Sequence, residues 1–125
     1  MRRALAALGL AMAAGAACAQ PGPQDDAAGI AARSGCNLCH ELHPRNPENS
    51  LLPIGPAWTD IARRYRGRPD ATARLTAVVL QGSGTGPGDR HWAGRSSGVV
   101  MPSNTLEISA GDAERVVRWI LSLPR

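Results

Sequence analysis

Phenylalanine and lysine are absent from this 125-residue sequence, and a single tyrosine (Tyr65) accompanies three tryptophans, Trp58, Trp92 and Trp119. Small alanines make up much of the remaining apolar content. A domain of this size buries its own surface inefficiently. Small exported domains usually compensate with several disulfides or a bound metal. Cysteine is too scarce here for a disulfide framework, because Cys18 lies in an N-terminal targeting segment and only Cys36 and Cys39 remain. A large, flat, apolar group would complete such a core.

Long hydrophobic runs are also missing. The apolar stretch from Ala4 to Ala14 falls short of the roughly 20 residues that a membrane span needs. It follows Arg2 and Arg3 and leads to Ala17-Cys18-Ala19, the order of a basic region, an apolar region and a small-residue cleavage site. Residues 1–19 are therefore expected to be a secretion signal peptide, cleaved after Ala19. Residues 20–125 would then form one domain with no integral membrane segment, exported to the periplasm. Lipidation of Cys18 is the alternative, and Gly15 three residues earlier fits it poorly.

The lack of lysine makes every basic side chain an arginine. With Arg2 and Arg3 removed, twelve arginines face ten acidic residues, a mild charge of +2. A nucleic-acid binder shows a stronger basic stripe interleaved with aromatics, so that partner class is excluded. The run Arg63, Arg64, Arg66, Arg68 reads as a solvated helix face, with a docking patch as the alternative.

Period-two alternation is absent too, and so is any internal repeat, which predicts an all-α chain with long loops. "DDAAGIAARSG" reads as a short Ala-rich helix ending at Gly35, whose Gly29 and flanking alanines offer a shallow face to another helix. "HPRNPENSLLPIGP" holds four prolines, too many for a continuous helix. "AWTDIARRYRG" places Trp58, Ile61 and Tyr65 at helical spacing, and "DATARLTAVVLQG" does the same for Leu75, Val78 and Val79. Residues 82–98 form a Gly/Ser-rich loop. A last helix begins at Ser109, with Asp112 completing a variant capping box and Ala113, Val116, Val117 and Ile120 as its apolar stripe.

Against this background stands "SGCNLCHEL", residues 34–42. A redox dithiol of the thioredoxin type needs a strand feeding a helix, and an Ala-rich helix precedes Cys36 instead. Structural zinc needs four Cys or His ligands. Cys36, Cys39, His40 and His43 crowd into eight residues, with His91 the only distant candidate and no second CxxC or HxxxH. Covalent haem fits mechanically. Cys36 and Cys39 lie on one side of a helical turn, where both sulfurs can add to the vinyl groups of one porphyrin, and His40 then lies beneath the ring. CxxCH is the signature of such c-type attachment.

Once the signal is removed, Met101 is the only methionine left. It lies in the loop "SSGVVMPSN" beside Pro102, and is the leading candidate for the second axial ligand. His91 is the rival, followed by an open position. His43 lies on the same side as His40 and is expected in solvent. Thioether ligation raises the reduction potential, and two strong axial ligands leave no site for a substrate. The combination describes a one-electron carrier.

Taken together, these residues resemble the class I c-type cytochromes, in particular the small monohaem bacterial branch. "GCNLCH" is similar to the haem-binding motif, "IGPAWTDIARRYRG" to the proximal segment, "MPSN" to the Met-Pro-x-Asn ligand loop and "ISAGDAERVVRWILSL" to the terminal helix. The resemblance implies a cytochrome c fold of about four helices around one covalent haem c. It also implies that Pro56 accepts a hydrogen bond from His40, that Asn104 contacts the ligand sulfur and that Trp92 lies beside a haem propionate. An ordinary loop anchor is the other reading of Trp92. Trp119 and the last helix would cross the first helix near Gly29. The stretches 41–54 and 82–98 are longer than in the leanest members.

The expected function is periplasmic electron transfer between redox partner proteins of a respiratory chain, without catalysis by the chain itself. A dedicated haem c subunit of a periplasmic dehydrogenase complex is the second reading. A haem sensor or peroxidase with an open iron site is the third.

Overall fold

The computed structural model describes residues 26–46, 48, 51–84 and 90–124. The expected signal, residues 1–19, lies outside the described residues. Four α-helices are present among the described residues, with no strand: α1 Ala27–Arg33, α2 Trp58–Tyr65, α3 Ala71–Gln81 and α4 Ala110–Ser122. Short 3-10 turns occupy Cys36–Leu38 and Arg90–Trp92. None of these helices is long and apolar enough to cross a membrane.

Helix α4 is the hub. Its first turn is capped by Ser109, whose Oγ accepts the Asp112 backbone N–H at 3.1 Å and donates to the Asp112 carboxylate at 3.0 Å. The predicted stripe of Ala113, Val116, Val117 and Ile120 is buried. Helices α1, α2 and α3 each pack on α4, and none of the three packs extensively on another.

Helix α1 meets α4 through Ala27, Ile30 and Ala31, all buried, whereas Gly29 is exposed. The first and last helices thus pack together as expected, but on the residues flanking Gly29: positions i, i+3 and i+4 share one face, and Gly29 lies off it. Trp119 instead packs edge-on against Trp58 of α2, with ring centroids 4.9 Å apart.

Helix α2 has no side-chain cap. Its first free N–H groups, those of Trp58 and Thr59, donate to the carbonyls of Glu41 and Leu42 at 2.9 and 3.1 Å, satisfying donors that every helix start leaves open. The Gly55 N–H donates to the Cys39 carbonyl at 2.8 Å. These bonds close the base of the long stretch after His40 and lay residues 39–42 along the start of α2.

The 90–98 part of the Gly/Ser-rich loop folds back on the same region. The Ser97 N–H donates to the Pro53 carbonyl at 2.8 Å, and Arg95 pairs with Asp60 at 3.1 Å. The four arginines read as a solvated face or docking patch are exposed, yet each has a partner within the chain. Arg63 pairs with Asp60, Arg64 bonds His91, Arg66 donates to the Leu123 carbonyl and Arg68 pairs with Asp70.

Candidate functional site

Cys36 opens the 3-10 turn and Cys39 follows it, after Gly35 in the left-handed conformation at φ 75°. Both thiols are half-buried and unbonded to one another. Partial burial pushes the Cys36 thiol above its usual value, a backbone hydrogen bond opposes that, and neighbouring Cys39 adds to it. A nucleophilic redox thiol needs the reverse shift, so Cys36 does not fit that role. Among the described residues no group of three or more His, Cys, Asp or Glu side chains converges as a metal cluster.

His40 is half-buried, and its ring lies over Trp58 with centroids 6.4 Å apart and planes 21° apart. Its Nδ1 is 2.8 Å from the Pro56 carbonyl. A carbonyl only accepts, so Nδ1 carries the hydrogen and Nε2 presents a lone pair. This is the tautomer an iron ligand needs, with ring direction set by the outer partner. Burial pulls the His40 value below its ordinary 6.5, against the bond to Pro56, which raises it.

The sign of that shift predicts a pH dependence. Above pH 6.5 the imidazole is neutral in both folded and unfolded chains. On acidification the unfolded chain binds the proton first, so the folded state loses stability as pH falls from 6.5 toward the depressed value. With no iron on its nitrogen, the haem-free chain should therefore keep its stability across neutral pH and lose part of it below 6.5 in denaturant melts. Stability that instead falls as pH rises through 6.5 would contradict this.

Gly55 makes the His40 geometry possible. A Cβ there would fall 2.7 Å from His40 Cε1, 2.9 Å from Nδ1 and 3.1 Å from the Cys39 carbonyl oxygen. Sequence reading missed this requirement, although a glycine directly before Pro56 was its visible trace.

Met101 is half-buried on a segment docked against the end of α3. Its N–H donates to Ser83 Oγ at 3.0 Å, and its carbonyl accepts from the Ser83 N–H at 3.0 Å. Ser103 Oγ donates to the Leu80 carbonyl at 2.6 Å, satisfying one of the open acceptors of the helix end. Gly82 permits the approach: it lies at φ 84°, ψ 172°, and a Cβ there would be 2.7 Å from the Met101 carbonyl oxygen. Gly82, Ser83 and Ser103 were not legible as a clamp. The Gly after a helical run was the only signal.

The Asn104 amide donates to the Ser34 carbonyl at 3.2 Å, tying the segment after Met101 to the entrance of the Cys turn. Trp92 is half-buried, with the Arg64 guanidinium 5.1 Å above its ring and His91 edge-on at 5.2 Å. His91 itself is held between two partners. Arg64 can only donate, so His91 Nδ1 accepts at 3.1 Å and Nε2–H donates to the Tyr65 hydroxyl oxygen at 3.0 Å. A ring held with its nitrogens so engaged is poorly placed to serve as an iron ligand. His43 is exposed.

The residues present fit a porphyrin. Besides two unbonded thiols and an oriented imidazole, the segments next to Gly55 and Met101 carry a set of open apolar side chains. Leu51, Leu52, Ile54, Val99 and Val100 are between 44 and 89% exposed. Open apolar side chains in such number are available to cover an apolar ligand.

Comparison with known proteins gives a consistent answer, although no family model matches the chain. A cytochrome c2 of Rhodocyclus tenuis is 34% identical over 98 residues, covering 78% of this chain and 92% of that protein. A cytochrome c-551 of Allochromatium vinosum is 35% identical over 94 residues, with 75% and 82% covered. Among solved structures, wild-type Nitrosomonas europaea cytochrome c552 superposes with a TM-score of 0.57 at 28% identity, over 76% of this chain and 96% of that one. The class 1 cytochrome MtoD of Sideroxydans lithotrophicus ES-1 gives 0.54 at 26% identity, with 78% and 92% covered. With the Cys36-to-His40 turn, the helical fold and these relatives in agreement, the chain belongs to the class I c-type cytochromes, electron-transfer proteins carrying one covalently bound haem c.

Proposed function

We propose that the chain is a diffusible periplasmic one-electron carrier, exported by residues 1–19 and functional as residues 20–125. Cys36 and Cys39 hold the haem through thioether bonds, and His40 and Met101 bind its iron. The observation that carries this reading is the His40–Pro56 hydrogen bond of 2.8 Å, which leaves Nε2 unprotonated on the residue that directly follows Cys39. The bound haem supplies one-electron chemistry between ferric and ferrous iron. The chain's own residues do the rest. Pro56 and Trp58 fix the imidazole, Ser83 and Ser103 hold the Met101 segment, and Leu51, Leu52, Ile54, Val99 and Val100 would shield a bound haem from water. A thioether ligand in an apolar setting raises the potential relative to a second imidazole. Asn104 and Trp92 complete the haem surroundings.

A dedicated haem subunit of a dehydrogenase would use the same iron chemistry. The free-carrier reading is preferred because residues 90–98, the later part of the long 82–98 stretch, are tied to α2 and to Pro53 and do not stand out as a docking arm. The test is isolation of the native protein from periplasm, followed by mixing of its reduced form with membranes of the source cell. Monomeric isolation and rapid reoxidation by a membrane oxidase or reductase are expected. Constant co-purification with a dehydrogenase, without exchange by the isolated cytochrome, would overturn the carrier reading.

A further inference from the structure

Asp60 is the one acidic residue among the buried positions of the described chain, with 3% exposure on the middle of α2. Its two oxygens are divided between arginines of different origin. Arg63, one turn along the same helix, takes Oδ1, and Arg95 reaches Oδ2 from the 90–98 loop at 3.1 Å. A buried carboxylate is costly unless paired and hydrogen-bonded, so the site is built around these two contacts. Two residues beyond Arg95, Ser97 bonds the Pro53 carbonyl through its N–H at 2.8 Å and the Ile54 carbonyl through Oγ at 3.4 Å. Residues 95–97 are thereby fixed to the segment that carries Gly55 and Pro56, the supports of His40.

Four residues after Ser97 comes Met101, whose segment is fixed at its other end to Leu80 of α3 and to Ser83 just past that helix. Helices α2 and α3 both rest on α4 and do not pack extensively on each other. The 95–103 strap therefore joins the His40 side to the Met101 side independently of α4. Its reach is short, because four residues span at most about 14 Å when fully extended.

We propose that Asp60, acting through Arg95, is a positioning residue for Met101: it anchors the strap on the proximal side and so limits how far the methionine segment can withdraw from the iron. The inference rests on Met101 being the sixth ligand. Arg63 shares the carboxylate but belongs to α2 alone, so it contributes charge balance and no tether. That difference separates positioning from a merely structural ion pair.

The test uses purified haem-loaded protein and exogenous imidazole, which competes with methionine for ferric iron. Arg95→Gln should raise the apparent affinity for imidazole roughly fivefold and weaken the far-red sulfur-to-iron band, the scale expected for loss of a partly exposed ion pair. Arg95→Lys, which keeps the charge, should recover part of both. Arg63→Gln should leave both readings at the wild-type value. Asp60→Asn should match Arg95→Gln, and because Arg95 is half exposed its own variant reports even if Asp60→Asn fails to fold. Equal effects of Arg63→Gln and Arg95→Gln, or no effect of Arg95→Gln in a protein whose wild type shows the band, overturn the proposal. Absence of the band in wild type instead overturns Met101 ligation itself, and the strap's role with it.

Discussion

Gly55→Ala should dislodge His40. The added methyl would lie 2.7 Å from the imidazole Cε1 and 3.1 Å from the Cys39 carbonyl oxygen, which is backbone and cannot turn aside. The ring must therefore rotate away from the Pro56 carbonyl, losing the bond that selects its tautomer, or the 39–42 and 55–59 segments must part. Overpacking of this kind costs about 1–3 kcal/mol, and each kcal/mol lowers the thermal midpoint by roughly 4–8 °C in a domain of this size. The potential should move as well, because the outer partner of the histidine tunes the metal. Gly111→Ala is the control. It lies on exposed α4 surface with nothing near its added Cβ, and should be neutral or slightly stabilising. Thermal melts and redox titrations of both variants check the prediction, and equal behaviour would refute it.

Gly82→Ala should release Met101 instead. Two costs coincide there. A backbone at φ 84°, ψ 172° is one that side chains other than glycine almost never adopt, at about 1–3 kcal/mol. In addition, the methyl would meet the Met101 carbonyl oxygen at 2.7 Å, the Ser103 nitrogen at 3.1 Å and the Pro102 carbonyl carbon at 3.2 Å, all backbone atoms. The methionine segment must lift from α3, breaking the Ser83 and Ser103 contacts together. The expected result is retained covalent haem with a weakened or absent far-red band. Gly84→Ala isolates the clash, because that residue has a similar φ of 81° and nothing within 4 Å of an added Cβ. It should destabilise the chain without loosening Met101. Loss of the band in Gly84→Ala but not in Gly82→Ala would contradict this account.

These two glycines mark the boundary of what the sequence discloses. Three of the four helices were legible because Ile61 and Tyr65, Leu75 and Val79, and Val116 and Ile120 repeat at a period that only a helix satisfies. The Ser109 cap was legible because its partner is three residues away. The cysteines and histidine of the haem turn were legible because their chemistry is local. Features that depend on distant partners were not. Gly55 matters only because Cys39 and His40 lie against it, and Gly82 only because residues 101–103 cross the end of α3. Asp60 looked like one carboxylate among ten until Arg95, thirty-five residues on, closed over it. Phase within a short helix was also beyond reach: one residue's rotation decided that Ala27 and Ala31, and not Gly29, face α4.

Iron ligation by His40 and Met101, as proposed, is read from absorption spectra of the oxidised and reduced holoprotein recorded beside Met101→Ala. C-type bands are expected on reduction in both proteins, with a weak far-red sulfur-to-iron band in oxidised wild type that Met101→Ala abolishes. Wild-type c-type bands with no far-red band, or a far-red band that survives in Met101→Ala, would contradict it.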